Sequence, residues 1–378
     1  MSHTNQPALF QPLKLNDTLT LQNRIGVAPM CMYAASTPSN TPTQFHLIHY
    51  GLLAVRGPGL IILESTSVSP NSGLSTHDLG LWNNAQAHAM KPIVEFIREQ
   101  RRVCCIQLNH GGRKVGEGKR AATGTGTGFG GAVENHFVNH CVAPSGIAFS
   151  EEHTVPRELS VEEIREIVRD FGDAAERAVK VCGFDAVEVH AGNGCLIHQF
   201  LSGLTNKRED EYGGRFENRI RLAMEVIGEV KMRVEGAPVF VKLALCDNCD
   251  DEGSWTPKEA LRLADELVKI GVAVIDVTSG GIVEHGKSRY LLNEDKSLPS
   301  QVPLARQLKK HVGDRCLVAC SGGLDRDVEM LNQFVNNGEF DLALFGKGFL
   351  RNTALTWTLA DKLGAKVNKT TQYECAFD

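Results

Sequence analysis

Eight short stretches of this chain set polar or reactive side chains directly after apolar runs. Four of them are Gln107-Leu108-Asn109-His110, His190-Ala191-Gly192-Asn193, Thr278-Ser279-Gly280-Gly281 and Cys320-Ser321-Gly322-Gly323. The others are Pro29-Met30-Cys31, Glu64-Ser65-Thr66, Lys242-Leu243-Ala244 and Phe345-Gly346-Lys347. The set is rich in amide, imidazole and thiol and poor in carboxylate. Glycosidic bond cleavage needs two carboxylates across a cleft, and Glu64 is the only acid here. Zinc-assisted hydrolysis needs several histidines with an acid, and His110 with His190 are too few. Gly322-Gly323 and Gly346-Lys347 suit a phosphate group, because glycine lets backbone N–H groups approach its oxygens and the lysine adds positive charge. The alternative is that these glycines only permit tight turns. Taken together, the stretches point to an organic cofactor anchored by phosphate, with polar groups around its ring. Cys246 and Cys249 form a CxxC without a second pair, and they read as loop cysteines after a strand; no metal site is expected.

The elements that must carry these stretches recur in a regular order. Apolar runs at 24–29, 60–64, 103–108, 186–190, 239–244, 274–278, 317–320 and 342–345 read as strands. Helical periodicity follows each of them, at 43–56, 84–101, 160–181, 216–234, 256–270, 301–312, 325–337 and 352–363. Ser160 with Glu163 forms a capping box, and Thr256-Pro257 reads as an N-cap followed by proline at the first helical position. Eight strand–helix units in series predict a closed parallel (β/α)8 TIM barrel, an α/β fold whose chemistry sits at the C-terminal strand ends. A doubly wound sheet would show an early GxGxxG, and the first strand runs instead into Met30-Cys31-Met32-Tyr33. The expected organisation is a single barrel domain over 1–378. Residues 1–23 form an N-terminal arm whose 13–21 stretch caps the floor. Residues 109–158 form a long active-site excursion after strand 3, with the glycine run 124–131 read as a flexible loop, and 364–378 form a C-terminal tail.

The composition agrees with an ordinary folded protein. The 378 residues are 42% hydrophobic and 22% charged, enough for a sizeable core. A net charge of −5 argues against nucleic acid as a partner. No apolar run approaches the ~20 residues of a membrane span. The opening MSHTNQPALF lacks the charged-then-apolar order of a signal peptide, so the expected location is cytoplasmic.

In their order along the chain, several motifs resemble one family. They are NRIGVAPMCMYAA (23–35), HLIHYGLLAVRGPGLIILESTSV (46–68), IQLNHGGRK (106–114), APSGIAF (143–149), HAGNGCLIHQFLSGLTNKREDEYGG (190–214) and FENRIRLAMEVI (216–227). The chain resembles the Old Yellow Enzymes, FMN-dependent NAD(P)H oxidoreductases of the ene-reductase type. The MCMY motif and QYE (372–374) are similar to the thermophilic-like branch. The resemblance implies FMN as cofactor and NADPH or NADH as reductant. It also implies a small enone or other electrophilic alkene as substrate, and a homodimer or homotetramer. It places Ala28, Pro29, Met30 and Cys31 along the flavin, Ser65 at the ring edge and Gln107 on the pyrimidine portion. Lys242 would stand at the N1/O2 edge, and Gly322, Gly323, Gly346 and Lys347 at the phosphate. His190 and Asn193 would form the substrate-activating pair, with His190 also against the cofactor, and Tyr33 would lie over the pocket.

This chain departs from the family at four positions. The usual proton-donating tyrosine is Cys195, whose thiol is acidic enough but short. Solvent or Tyr33 is then the expected proton source. Lys242 and Lys347 stand where arginines are usual and lack the planar fork. Cys375 replaces an arginine that reaches into a neighbouring subunit. The alternatives these departures leave open are a specialised relative (isomerase, dehydrogenase or NAD(P)H oxidase) and a weakly catalytic flavin-binding module.

Overall fold

The computed structural model describes residues 6–115, 140–151, 153–284 and 298–377. The expected glycine-rich run at 124–131 lies outside them. Eight parallel strands form the barrel: β1 Ile25–Val27, β2 Leu60–Ser67, β3 Val103–Asn109, β4 Ala186–Ala191, β5 Val239–Ala244, β6 Val274–Thr278, β7 Leu317–Ser321 and β8 Leu342–Phe345. Each pairs with the next, and the ring closes where β8 meets β1 through Ala343↔Ile25 and β1 meets β2 through Gly26↔Leu60. The (β/α)8 expectation is therefore met. A short strand, Leu79–Gly80, adds to the end of β2.

The helices that pack outside are α1 Gln44–Ala54, α2 Asn84–Glu99, α3 Val161–Glu176, α4 Arg221–Arg233, α5 Pro257–Lys269, α6 Val302–Val312, α7 Val328–Asn336 and α8 Leu355–Leu363. Ser160 caps α3 and Thr256 caps α5, each in a reciprocal box with a glutamate three residues on. One expected helix is interrupted and one short helix was not expected. The 216–234 run splits into Phe216–Arg219 and α4, and a separate short helix, Lys347–Arg351, precedes α8. Helix α3 runs on as a π-helical turn, Arg177–Cys182, ended by Gly183 in the left-handed region. Periodicity alone carries no signal for such changes of winding.

Alternation along the strands separates two cores. Outward residues such as Val187, Val189, Val241, Leu243, Ile275 and Val277 join the helices in one large cluster. Inward residues Leu60, Ile62, Cys105, Ala186, Phe240, Val274 and Leu342 fill the barrel, together with Leu13, Leu15 and Leu21. Leu13 and Leu21 pair across a small antiparallel hairpin, so the N-terminal arm plugs the floor as expected. One step up the same strands the interior turns polar, with Gln107, Glu188, Lys242 and Asp276 all buried. That change of character falls toward the C-terminal ends of the strands, where this fold carries its chemistry.

Candidate active site

The end of β4 carries the densest arrangement. His190 is buried, and Asn193 follows at φ 52 and Gly194 at φ 76, which bends the chain sharply back across the barrel mouth. Side chains from other elements hold this loop on several sides. His198 Nδ1 accepts from Gly194 N at 3.0 Å, and its Nε2 lies 2.9 Å from Asp247 Oδ1. Asp247 is held in turn by Ser202 Oγ and Trp255 N. Lys114 Nζ donates to Asn193 O at 3.1 Å, and Gln199 Nε2 to Gly194 O at 2.7 Å. Thr278 Oγ1 donates to Asn193 Oδ1 at 2.7 Å, which leaves the amide nitrogen of Asn193 as the end that can donate to a ligand. Burial, reinforced by the charges of Lys242 and Lys114, holds the His190 imidazole well below its usual pKa, so it is neutral. Its Nδ1 is buried with no hydrogen-bond partner among the described residues.

The segment after β1 is anchored from below. The β2 ladder slips register between Leu63 and Ser65, a bulge that re-aims Glu64. Glu64 is fully buried; its Oε2 accepts from Met32 N at 2.9 Å and its Oε1 from Tyr50 OH at 3.1 Å. His46 Nε2 lies 3.4 Å from the same oxygen. This fixes Ala28 to Met32 across the mouth, with Tyr33 beyond at φ 53 and 41% exposed. Burial first, then Asp78, Glu64 and Cys195, raises the Cys31 thiol well above its usual pKa, so it is protonated. Cys195 is only 2% exposed and caps the short helix Leu196–Leu201.

In the polar interior, Gln107 Nε2 donates to Glu188 Oε1 at 2.7 Å, and Lys242 forms an ion pair with Asp276. Ser65 is buried on the neighbouring strand. At the far side, Gly322 (φ 100) and Gly323 (φ 80) take conformations that suit glycine, and Gly346 precedes the helix Lys347–Arg351. Lys347 is exposed. A Cβ on Gly322 would come within 3.0 Å of Ser300 Oγ, and one on Gly323 within 3.4 Å of Arg326 Nε.

The sequence-predicted residues thus converge on one end of the barrel. Glu64 and Thr278 stood in the strand-end stretches without a role, and the residues missed are Lys114, Glu188, His198, Asp247, Asp276 and Arg326. Alternation could have found Glu188, two residues before His190 on the same face. His198 with Asp247, 49 residues apart in sequence, had no local signal. Cys246 and Cys249 engage Asn248 and Ser254. Among the described residues no group of three metal-ligating side chains occurs, and no helix is long and apolar enough to cross a membrane.

A family model described as NADH:flavin oxidoreductase / NADH oxidase matches residues 8–366. An NADH:flavin oxidoreductase of Gibberella zeae is 36% identical, covering 98% of this chain and 89% of that protein. The NADPH dehydrogenase of Bacillus subtilis is 34% identical over 97% of this chain and 98% of its own length. Among solved structures, morphinone reductase superposes with a TM-score of 0.73 at 29% identity, covering 97% of this chain and 92% of that one.

Proposed function

The chain belongs to the NADH:flavin oxidoreductase / NADH oxidase family, the Old Yellow Enzymes, and from that premise we propose that it reduces the activated C=C bond of α,β-unsaturated carbonyl compounds. It is an FMN-dependent NAD(P)H oxidoreductase. The residues suit the cofactor. The interior is polar where a ring would rest, the glycines at 322, 323 and 346 leave room for phosphate, and Lys347 and Arg326 bring positive charge there. The unpartnered Nδ1 of His190 and Oε1 of Gln301 are buried polar atoms of the kind a polar ligand satisfies. FMN, when bound, supplies hydride at its N5 position.

The chain's own residues do the rest. Gln107 and Lys242 would meet the pyrimidine edge, Ser65 and Cys31 the ring, and Ala28, Pro29 and Met30 the flank. Cys31, protonated and pinned through Glu64 and Met32, tunes the ring as a neutral neighbour. His190 and the amide nitrogen of Asn193 would donate to the carbonyl oxygen of the substrate, where negative charge grows as hydride reaches the β-carbon. Donors fixed before reaction lower that barrier without reorganising. A neutral imidazole suffices, because the pair binds the oxygen and gives up no proton. Cys195 is too short and too buried for the usual tyrosine's task. The α-carbon proton comes from solvent or from Tyr33, which stands exposed at the mouth. The observation that carries the reading is the neutral His190–Asn193 pair on a loop fixed by His198, Lys114 and Thr278.

The burial of Cys195 favours one second reading, a specialised relative whose reduced state is discharged by oxygen rather than by an enone. An anaerobic NADPH titration followed by 2-cyclohexenone separates them. Bleaching of the flavin spectrum, reversed by the enone, supports ene-reduction. Bleaching reversed only by oxygen supports the oxidase reading. Self-association is proposed on the outward face of α1, where Phe45, Leu47, Ile48 and Leu52 are exposed.

A further inference from the structure

Glu188 and His190 share the interior face of β4, and Glu188 lies one step deeper. Around it are Gln107 on β3, Lys242 on β5 and Asp276 on β6, all buried. Gln107 satisfies one carboxyl oxygen of Glu188. The other, Oε2, is buried and has no partner among the described residues, and Oδ1 of Asp276 is in the same position. Lys242 is committed to Asp276. Two carboxyls and one ammonium thus share a buried interior. With all three ionised, one negative charge is left over, and a buried charge of that kind is costly. The other titratable groups facing the cluster do not offset it. His190, above, is neutral; Cys105 on β3 and Cys320 on β7 are thiols raised by burial and by these acids.

We propose that Glu188 is a proton store beneath the cofactor ring, taking a proton from solvent when cofactor reduction brings negative charge to the Lys242 edge. The proposal rests on the placement of FMN over Lys242 and Gln107 given above. NAD(P)H gives up a hydride and leaves as NAD(P)+, FMN gains that hydride, and the Glu188 carboxylate gains H+ from water at Oε2. When substrate takes the hydride, that proton returns to solvent. Burial and the charge of Asp276 push the Glu188 carboxyl up to about 8, against the pull of Lys242 and Gln107. At neutral pH it is therefore already protonated, and proton uptake on reduction is confined to more alkaline solution. Above that value it is ionised, and charge arriving nearby draws the proton back. Gln107 uses one of its two amide N–H groups on Glu188, and its carbonyl oxygen can accept from an imide N–H.

The test is the midpoint potential of bound FMN in the purified holoenzyme, measured spectroelectrochemically from about pH 6 to about 10, for the wild type and Glu188→Gln. One extra proton per two electrons steepens the wild-type slope by about 30 mV per pH unit on the alkaline side of the break. The Gln variant shows no such break. A straight line in the wild type, or the same break in Glu188→Gln, overturns the proposal. A reduced-minus-oxidised infrared spectrum of the wild type at alkaline pH serves if the variant does not fold. Gain of a protonated carboxyl band, shifted by 13C-labelled glutamate, is expected, and its absence overturns the proposal. A protein that binds no reducible FMN overturns the cofactor placement and this role together. Normal reduction with an unbroken line overturns the role of Glu188 alone.

Discussion

In the proposed reaction His190 and Asn193 would share one substrate oxygen between two donors, so each is expected to matter by itself. Removing one preorganised donor costs about 10²–10³ in turnover. His190→Ala is expected to lower enone kcat by that factor while the protein still binds FMN; steady-state assay and flavin release on denaturation check both halves. Lys242 makes a different argument. Lys242→Ala leaves the Asp276 carboxylate buried without its cation, which costs about 3–5 kcal/mol, and FMN retention falls with it. Adding Asp276→Asn removes the stranded charge, so the double variant regains most of the stability but not the FMN affinity. Thermal melts of the apoproteins measure the first quantity and FMN titration the second. Equal losses in both variants would mean that the pair is not energetically coupled.

The loop between β4 and the helix Leu196–Leu201 works as a unit. A Cβ on Gly194 would overlap the carbonyl oxygen of Gly281, and its φ of 76 disfavours any other residue. Gly194→Ala is therefore expected to displace Asn193, raising KM and lowering kcat for enones while FMN affinity stays within about twofold. The loop after β3 adds a pH dependence. His110 is buried, its Nδ1 accepts from Gly112 N at 3.0 Å, and burial lowers its pKa to about 4. A histidine lowered in the folded state stabilises fully above its unfolded value and loses that contribution as pH falls from about 6.5 to about 4. That loss is on the order of 3 kcal/mol. Chemical denaturation across that window should show the decline, and His110→Gln should flatten it.

At the scale of the molecule, the barrel is a closed ring with a plugged floor and a polar upper interior. Leu13, Leu15 and Leu21 of the N-terminal hairpin complete the inner core. Deleting residues 1–22 is expected to expose that floor and to cost several kcal/mol of stability at ~25 cal/mol per Å² of apolar surface. A fall in melting temperature with increased binding of a hydrophobic dye checks it. If the chain is one domain, as the sequence suggests, calorimetry gives one transition with equal calorimetric and van't Hoff enthalpies.

The sequence by itself determined the barrel, because short apolar runs, each followed by 3.6-period helices, recur eight times, with caps at Ser160 and Thr256. It determined the family, because six motifs stand in order, and it named His190, Asn193, Lys242 and the glycines, because these follow apolar runs. It also showed where this chain departs, at Cys195, Lys242, Lys347 and Cys375. The tertiary structure alone decided what those residues are. Only barrel closure brings Asp247 to His198, Thr278 to Asn193 and Asp276 to Lys242, across gaps of 49, 85 and 34 residues. Protonation states follow from that assembly. The imidazole of His190 is neutral and the carboxyl of Glu188 is raised because burial and neighbouring charge act through space, and neither is encoded in the spacing of the residues along the chain.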